Sequence, residues 1–266
     1  MDGPQAEEHA VASDTPEATL GFDGPVATLT LQRPAQRNAL STGLLADLHS
    51  RLDELDAIVS PPTVLVITGA GRSFCAGMDL QQVIIDQDTA ADVPLRLLES
   101  LARATHRIRM LPCVSIAKVN GAAIGGGCGL VTICDLAITH ADAKLGFPEV
   151  DLGLCPAVVT PWLVKRIGAG PARRVLLRGG IMSGQAAAEI GIVTDLVETR
   201  EQLDERCDSM ARSLTAGGPK ALRATKELLN ELDGSASLEV LLRAAKLSAQ
   251  VLSTDDAQAR LRGRRG

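Results

Sequence analysis

Residues 114–129 read Val-Ser-Ile-Ala-Lys-Val-Asn-Gly-Ala-Ala-Ile-Gly-Gly-Gly-Cys-Gly. The first six, rich in β-branched and apolar side chains and preceded by Pro112, predict a strand over 114–119. Residues 120–127 then predict a glycine-rich turn, with a helix starting near Gly127. Working toward the N-terminus, residues 95–110 predict a helix, and 63–68 form a continuous apolar run between Pro61-Pro62 and Gly69-Ala70-Gly71. Such a run is the pattern of a strand covered on both faces. Before it, Leu44, Leu45, Leu48, Leu52, Leu55 and Ile58 recur at helical spacing as far as Pro61, behind Ser41 or Thr42 as cap. The alternating stretch 26–31 predicts a strand that Arg33-Pro34 stops. Toward the C-terminus, a short apolar segment at 130–134 leads to a strand at 136–139. Beyond Gly168 residues 171–178, 183–190, 201–214, 219–232 and 238–252 read as helices around one short strand at 192–197. The pattern is an α/β core with a helical last third, which suits a lid, an oligomerisation arm or both.

A glycine run after a strand raises the question of a phosphate cradle, and its details exclude one. Leu130 stands where a dinucleotide fingerprint needs its third glycine, and no Lys follows these glycines as a P-loop requires. Tight backbone packing without a ligand remains an equal reading of the run alone. A second turn of similar design, Ser73-Phe74-Cys75-Ala76-Gly77-Met78-Asp79-Leu80, follows the preceding strand. Two such turns at the same ends of neighbouring strands can present two backbone N–H groups to one oxygen.

Composition narrows the function class. The 266 residues are 45% hydrophobic and 22% charged, ordinary for one folded domain. Aromatic residues make up 2%, and the net charge is -5, so neither base stacking nor a phosphate-backbone footprint is available for nucleic acid. The six cysteines (75, 113, 128, 134, 155, 207) contain no CxxC pair and no His at ligand spacing. They read as small buried apolar residues rather than a metal site or a disulfide framework. No apolar stretch of 18 residues occurs and the N-terminus is acidic, so the expectation is a soluble, cytoplasmic protein with no membrane partner. Residues 1–18 carry too few large apolar side chains to order themselves.

Taken together, Arg33-Pro34 with Asn38-Ala39-Leu40, the Phe-x-Ala-Gly-x-Asp-Leu turn at 74–80, Val119-Asn120-Gly121 with Gly125-Gly126-Gly127, and Phe147-Pro148-Glu149 with Leu152-Gly153 resemble the enoyl-CoA hydratase/isomerase, or crotonase, superfamily. The motifs run in family order from about residue 18 to about 260. The resemblance implies a spiral of ββα units over 19–196 and a helical trimerisation region over 197–266, in a homotrimer or a dimer of trimers. It implies an acyl-CoA thioester as substrate, with no metal or redox cofactor. The thioester oxygen would sit between the N–H groups of Met78 and Gly126. The CoA would be lined by Arg33, Arg37, Ala39, Ala76, Met78, Asp79, Leu80 and Gly126. Such donors act where negative charge develops, and each is typically worth about 3 to 4 kcal/mol.

Glu149 is the expected acid/base. It stands among Phe147, Pro148, Val150 and Leu152, and desolvation there raises a carboxylate toward the operating pH. Asp151 reads as a surface or cap residue. Short-chain hydratases of the family carry a second glutamate two residues after the glycine triplet, where this sequence has Gly129. The run Gly-Gly-Gly-x-Gly-Leu followed by Cys-Asp, and then Glu-Val-x-Leu-Gly-Leu-x-Pro-Ala-Val-Val, resembles methylglutaconyl-CoA and related branched glutaconyl-CoA hydratases, and a lone glutamate also resembles the enoyl-CoA isomerases. A silent acyl-CoA binder is the third reading. Cys75 and Cys128 have no His in their motifs and read as packing residues. Lys118 and Arg166 are candidate phosphate contacts or simply solvated cations, and Arg260, Arg262, Arg264 and Arg265 form a basic end.

Overall fold

The computed structural model describes residues 15–84, 92–235 and 237–263. Among the described residues the strands are β1 (Ala18–Asp23), β2 (Val26–Leu31), β3 (Val64–Gly69), β4 (Ser73–Cys75), β5 (Val114–Val119), β6 (Ala122–Ile124), β7 (Leu136–His140), β8 (Lys144–Gly146), β9 (Ile181–Ser183) and β10 (Asp195–Val197). The helices are α1 (Thr42–Asp56), α2 (Leu80–Val83), α3 (Val93–Met110), α4 (Gly126–Ile133), α5 (Thr160–Ile167), α6 (Ala169–Arg178), α7 (Gly184–Glu189), α8 (Leu203–Thr215), α9 (Pro219–Leu232), α10 (Leu238–Leu252) and α11 (Asp255–Arg262).

Six strands form one sheet in the order β1-β2-β3-β5-β7-β10, and β4-β6-β8-β9 form a second. β3, β5 and β7 lie in the large sheet, and each is followed within a few residues by β4, β6 or β8 in the small one. A helix then carries the chain to the next turn. This is a spiral of ββα units, and all its crossovers between successive large-sheet strands are parallel. Alternation along β3 explains its continuous apolar run: Leu65 and Ile67 enter the main core while Val64 and Val66 pack with Ile116, Ile138 and α8 on the other face.

Most predicted elements are present, with 114–119, 219–232 and 238–252 matching to the residue. The differences have local causes. α1 is capped by Ser41 as expected but ends at Asp56, leaving Ile58 outside the helix. Ser73–Cys75 and Ala122–Ile124, expected as turn, are strands, too short to show a period. The segment 130–134 belongs largely to α4. The expected unordered tail of residues 1–18 extends too far. β1 begins at Ala18 and pairs antiparallel with β2, and Glu17 binds Ser41 (2.7 Å) and Arg33 (3.2 Å). The remainder of that tail, residues 1–14, lies outside the described residues, as do Arg264 and Arg265. Among the described residues no helix is long and apolar enough to cross a membrane.

Candidate active site

The strand pairs β3/β4 and β5/β6 end in two turns that meet at one place, and buried amides hold the first. Asn38, fully buried, accepts from Arg33 N (2.8 Å) and donates through Nδ2 to the carbonyls of Ala70 (3.0 Å) and Ser73 (2.9 Å). Asn120 donates to the carbonyls of Gly69 (2.8 Å) and Gly71 (3.1 Å). Both motif asparagines thus fix the β3–β4 connection. The chain beyond β4 zips onto residues 37–40: Ala76 N donates to Arg37 O (3.0 Å), Leu40 N to Gly77 O (2.7 Å) and Asp79 N to Leu40 O (3.0 Å). Met78 forms the parallel bridge with Leu40, and in that geometry its own N–H turns away from residue 40.

The Gly77–Met78 turn lies against the start of α4. A side chain at Gly77 (φ +89°) would lie 2.6 Å from Ile124 O and 3.6 Å from Gly126 N, so only glycine lets the two backbones approach so closely. Gly126 is the first residue of α4, whose first-turn N–H groups have no intrahelical acceptor. Met78 and Gly126 therefore border one region.

Glu149 faces the same region. It stands on a short 3-10 turn, Pro148–Leu152, that leaves β8 through the buried Phe147. A Cβ at Gly125 would come within 2.8 Å of Glu149 Oε1, and Glu149 Oε2 is buried with no hydrogen-bond partner. Burial, with a smaller contribution from the nearby Asp151 charge, pushes the Glu149 carboxyl up to about 7. Asp151 itself is exposed and accepts from Gly180 N (2.9 Å), a support for the turn, as expected of a surface or cap residue.

These groups open into a cleft of about 380 Å³. Of the residues expected to contact CoA, Arg37, Ala76, Met78, Leu80 and Gly126 line it, and Arg33, Ala39 and Asp79 are not among its lining residues. Arg33 donates to Ala39 O (2.6 Å) and pairs with Asp79 (3.2 Å) and Glu17, while Asp79 also caps α2. The three brace the Met78 turn from behind. Lys118 pairs with Asp204 (2.7 Å), and the largely buried Arg166 donates to the carbonyls of Cys134 and Asp135, closing the end of α4. Cys75 and Cys128 are buried, and burial pushes both thiols up, Cys75 to about 12. Cys155 alone of the six cysteines is half-buried, on the cleft wall.

Further walls come from Val158 and Val159, at the end of the motif run that starts at Glu149, and from residues without local sequence signals: Leu98 and Leu101 of α3 and Ser248 and Leu252 of α10. Val159 has a particular place. A Cβ at Gly129 would lie 2.3 Å from Val159 Cγ1, so the valine occupies the space that a side chain at 129 would need. Among the described residues no group of three or more His, Cys, Asp or Glu is placed to hold a metal ion.

A two-sheet ββα spiral carrying a desolvated carboxyl in a cleft lined by Met78 and Gly126 defines the class: this is an enzyme of the crotonase fold. The model of the family "Enoyl-CoA hydratase/isomerase" matches residues 21–265, and the chain belongs to that family. It is 34% identical over 232 residues to the 2,3-dehydroadipyl-CoA hydratase of Escherichia coli strain K12, covering 87% of this chain and 88% of that protein. It is 30% identical over 213 residues to the short-chain-enoyl-CoA hydratase of Clostridium acetobutylicum, covering 79% and 80%. The crystal structure of an enoyl-CoA hydratase/isomerase from Xanthobacter autotrophicus Py2 superposes with a TM-score of 0.82 at 27% identity, over 94% of this chain and 93% of that one.

Proposed function

We propose that the protein is an enoyl-CoA hydratase that adds water reversibly to a 2-enoyl-CoA thioester, with Glu149 as its acid/base. The observation that carries this reading is the buried Glu149 carboxyl, its Oε2 without a hydrogen-bond partner, held against Gly125 in the cleft that Gly126 also lines. Glu149 takes a proton from a water molecule as the water oxygen bonds to the β-carbon. The electron pair of the double bond moves to the thioester oxygen, where the N–H groups of Met78 and Gly126 hold the charge. The enolate then takes the proton back from Glu149 at the α-carbon, on the same face. A carboxyl ionising near 7 serves both halves of that exchange. Neither half calls for a metal or redox cofactor. The glycine-triplet and Glu149 motifs make a methylglutaconyl-type acyl group the first member of the test panel.

A second reading rests on Val159. By filling the space over Gly129 it leaves one carboxylate at the site, which suits an isomerase in which Glu149 moves a proton between carbons and no water adds. Mass spectrometry of products from 2-enoyl, 3-enoyl and methylglutaconyl thioesters, beside Glu149→Gln, separates the two. A gain of one water that Glu149→Gln abolishes supports the hydratase. An unchanged mass with a moved double bond supports the isomerase, and binding without turnover leaves an acyl-CoA carrier.

The assembly forms part of the same proposal. α9 buries Lys226 and Asn230 but exposes Leu228, Leu229 and Leu232, the reverse of a helix whose apolar face is covered within its own chain. A homotrimer or dimer of trimers that covers this face accords with it; that the enzyme works in the cytoplasm belongs to the proposal without support from this face.

A further inference from the structure

Ser248 sits on α10, nearly 100 residues from the segment it touches, and its hydroxyl makes two bonds there. It donates to Cys155 O (2.7 Å) and accepts from Ala157 N (3.1 Å). The side chain is almost fully buried yet borders the cleft. The backbone on either side of these two groups is satisfied locally: Leu154 N donates to Glu149 O, and Thr160 N to Pro156 O. Ser248 thus supplies a bond to each of two backbone groups on a stretch with no regular structure. That stretch leads directly into Val158 and Val159, one wall of the cleft. The helix bearing Ser248 packs along α3, whose Leu98 and Leu101 also line the cleft. One hydroxyl therefore ties the two walls together.

We infer that Ser248 is a positioning residue that fixes the width of the acyl slot between Leu98/Leu101 and Val158/Val159, and so sets which acyl groups fit. The inference rests on reading the cleft as the acyl-thioester site, but not on which reaction occurs there. Its test accordingly uses saturated butyryl-CoA and octanoyl-CoA, which bind without being hydrated. Isothermal titration would compare Ser248→Ala and Ser248→Thr with the wild type. Loss of both bonds in Ser248→Ala is expected to change the ratio of the two dissociation constants by about fivefold or more in favour of the longer chain. Ser248→Thr, which keeps the hydroxyl, is expected to return the ratio to within about twofold of wild type. Amide exchange at Ala157 is expected to accelerate in Ser248→Ala alone. An unchanged ratio in a folded Ser248→Ala, or equal weakening of both ligands, overturns the inference. Should neither ligand bind wild type, the acyl-thioester reading fails first, a result distinct from an unchanged ratio.

Discussion

Replacing Glu149 by Gln is expected to abolish turnover and to stabilise the protein in a pH-dependent way. In the folded chain the carboxyl ionises at about 7, against an ordinary 4.5. Below pH 4.5 it is protonated in both the folded and unfolded chain and contributes no difference. As pH rises from there the unfolded chain releases the proton while the folded chain keeps it, so stability falls, and the full cost is present above about 7. The gap of about 2.5, at about 1.36 kcal/mol each, makes that cost ~3 kcal/mol at pH 8 and under ~1 kcal/mol at pH 5. Gln cannot ionise and escapes it. The new amide beside Gly125 adds its own offset, which is the same at both pH values and drops out of the comparison. Urea unfolding of both proteins at pH 5 and pH 8, at one fixed protein concentration, reads the effect. The advantage of Glu149→Gln over wild type should grow by about 2 to 3 kcal/mol between the two pH values. A difference that stays flat, or that shrinks toward pH 8, refutes the claim that Glu149 is held desolvated and unpaired.

Gly125→Ala forces a strained φ of +53° and brings a methyl within 2.8 Å of Glu149 Oε1; kcat should fall by about 100-fold or more in steady-state assays. Lys226→Ala removes a nearly buried ammonium that donates to Asp135 (2.8 Å) and Cys113 O (2.8 Å). It should cost roughly 3 kcal/mol in chemical denaturation. Leu229→Asp, on the exposed apolar face of α9, is expected to lower the mass measured by light scattering toward that of a single chain. Of the six thiols, Cys155 should react first with a thiol reagent because the other five are buried, and butyryl-CoA should protect it because it alone of the six lines the cleft.

What could be read from the sequence follows the range over which each signal acts. Val114–Val119 and Pro219–Leu232 are bounded by Pro or Gly and have enough residues to show a period, so their limits are legible. The strands Ser73–Cys75, Ala122–Ile124 and Lys144–Gly146 have three residues each, and pairing with one another defines them. Met78, Gly126 and Glu149 line one cleft, and each is legible because it lies in a local motif. Arg33 and Asp79 show their charge in the sequence but not their partner, and the fold pairs them with each other. Ser248, Leu252 and Leu98 reach the cleft through helix packing across long separations, which no short window encodes, whereas Val159 lies ten residues beyond Glu149 and only its clash with position 129 is illegible.

The contact between position 129 and Val159 also makes these two sites interdependent for any lineage or library. A carboxylate side chain introduced at Gly129 alone meets a methyl group at 2.3 Å from its first carbon, so a variant with that single change starts at a disadvantage. Trimming Val159 first opens a void that the second change can then occupy. A mutational path from one carboxylate to two is therefore directional, and a combinatorial screen that varies 129 without 159 samples only its blocked entrance.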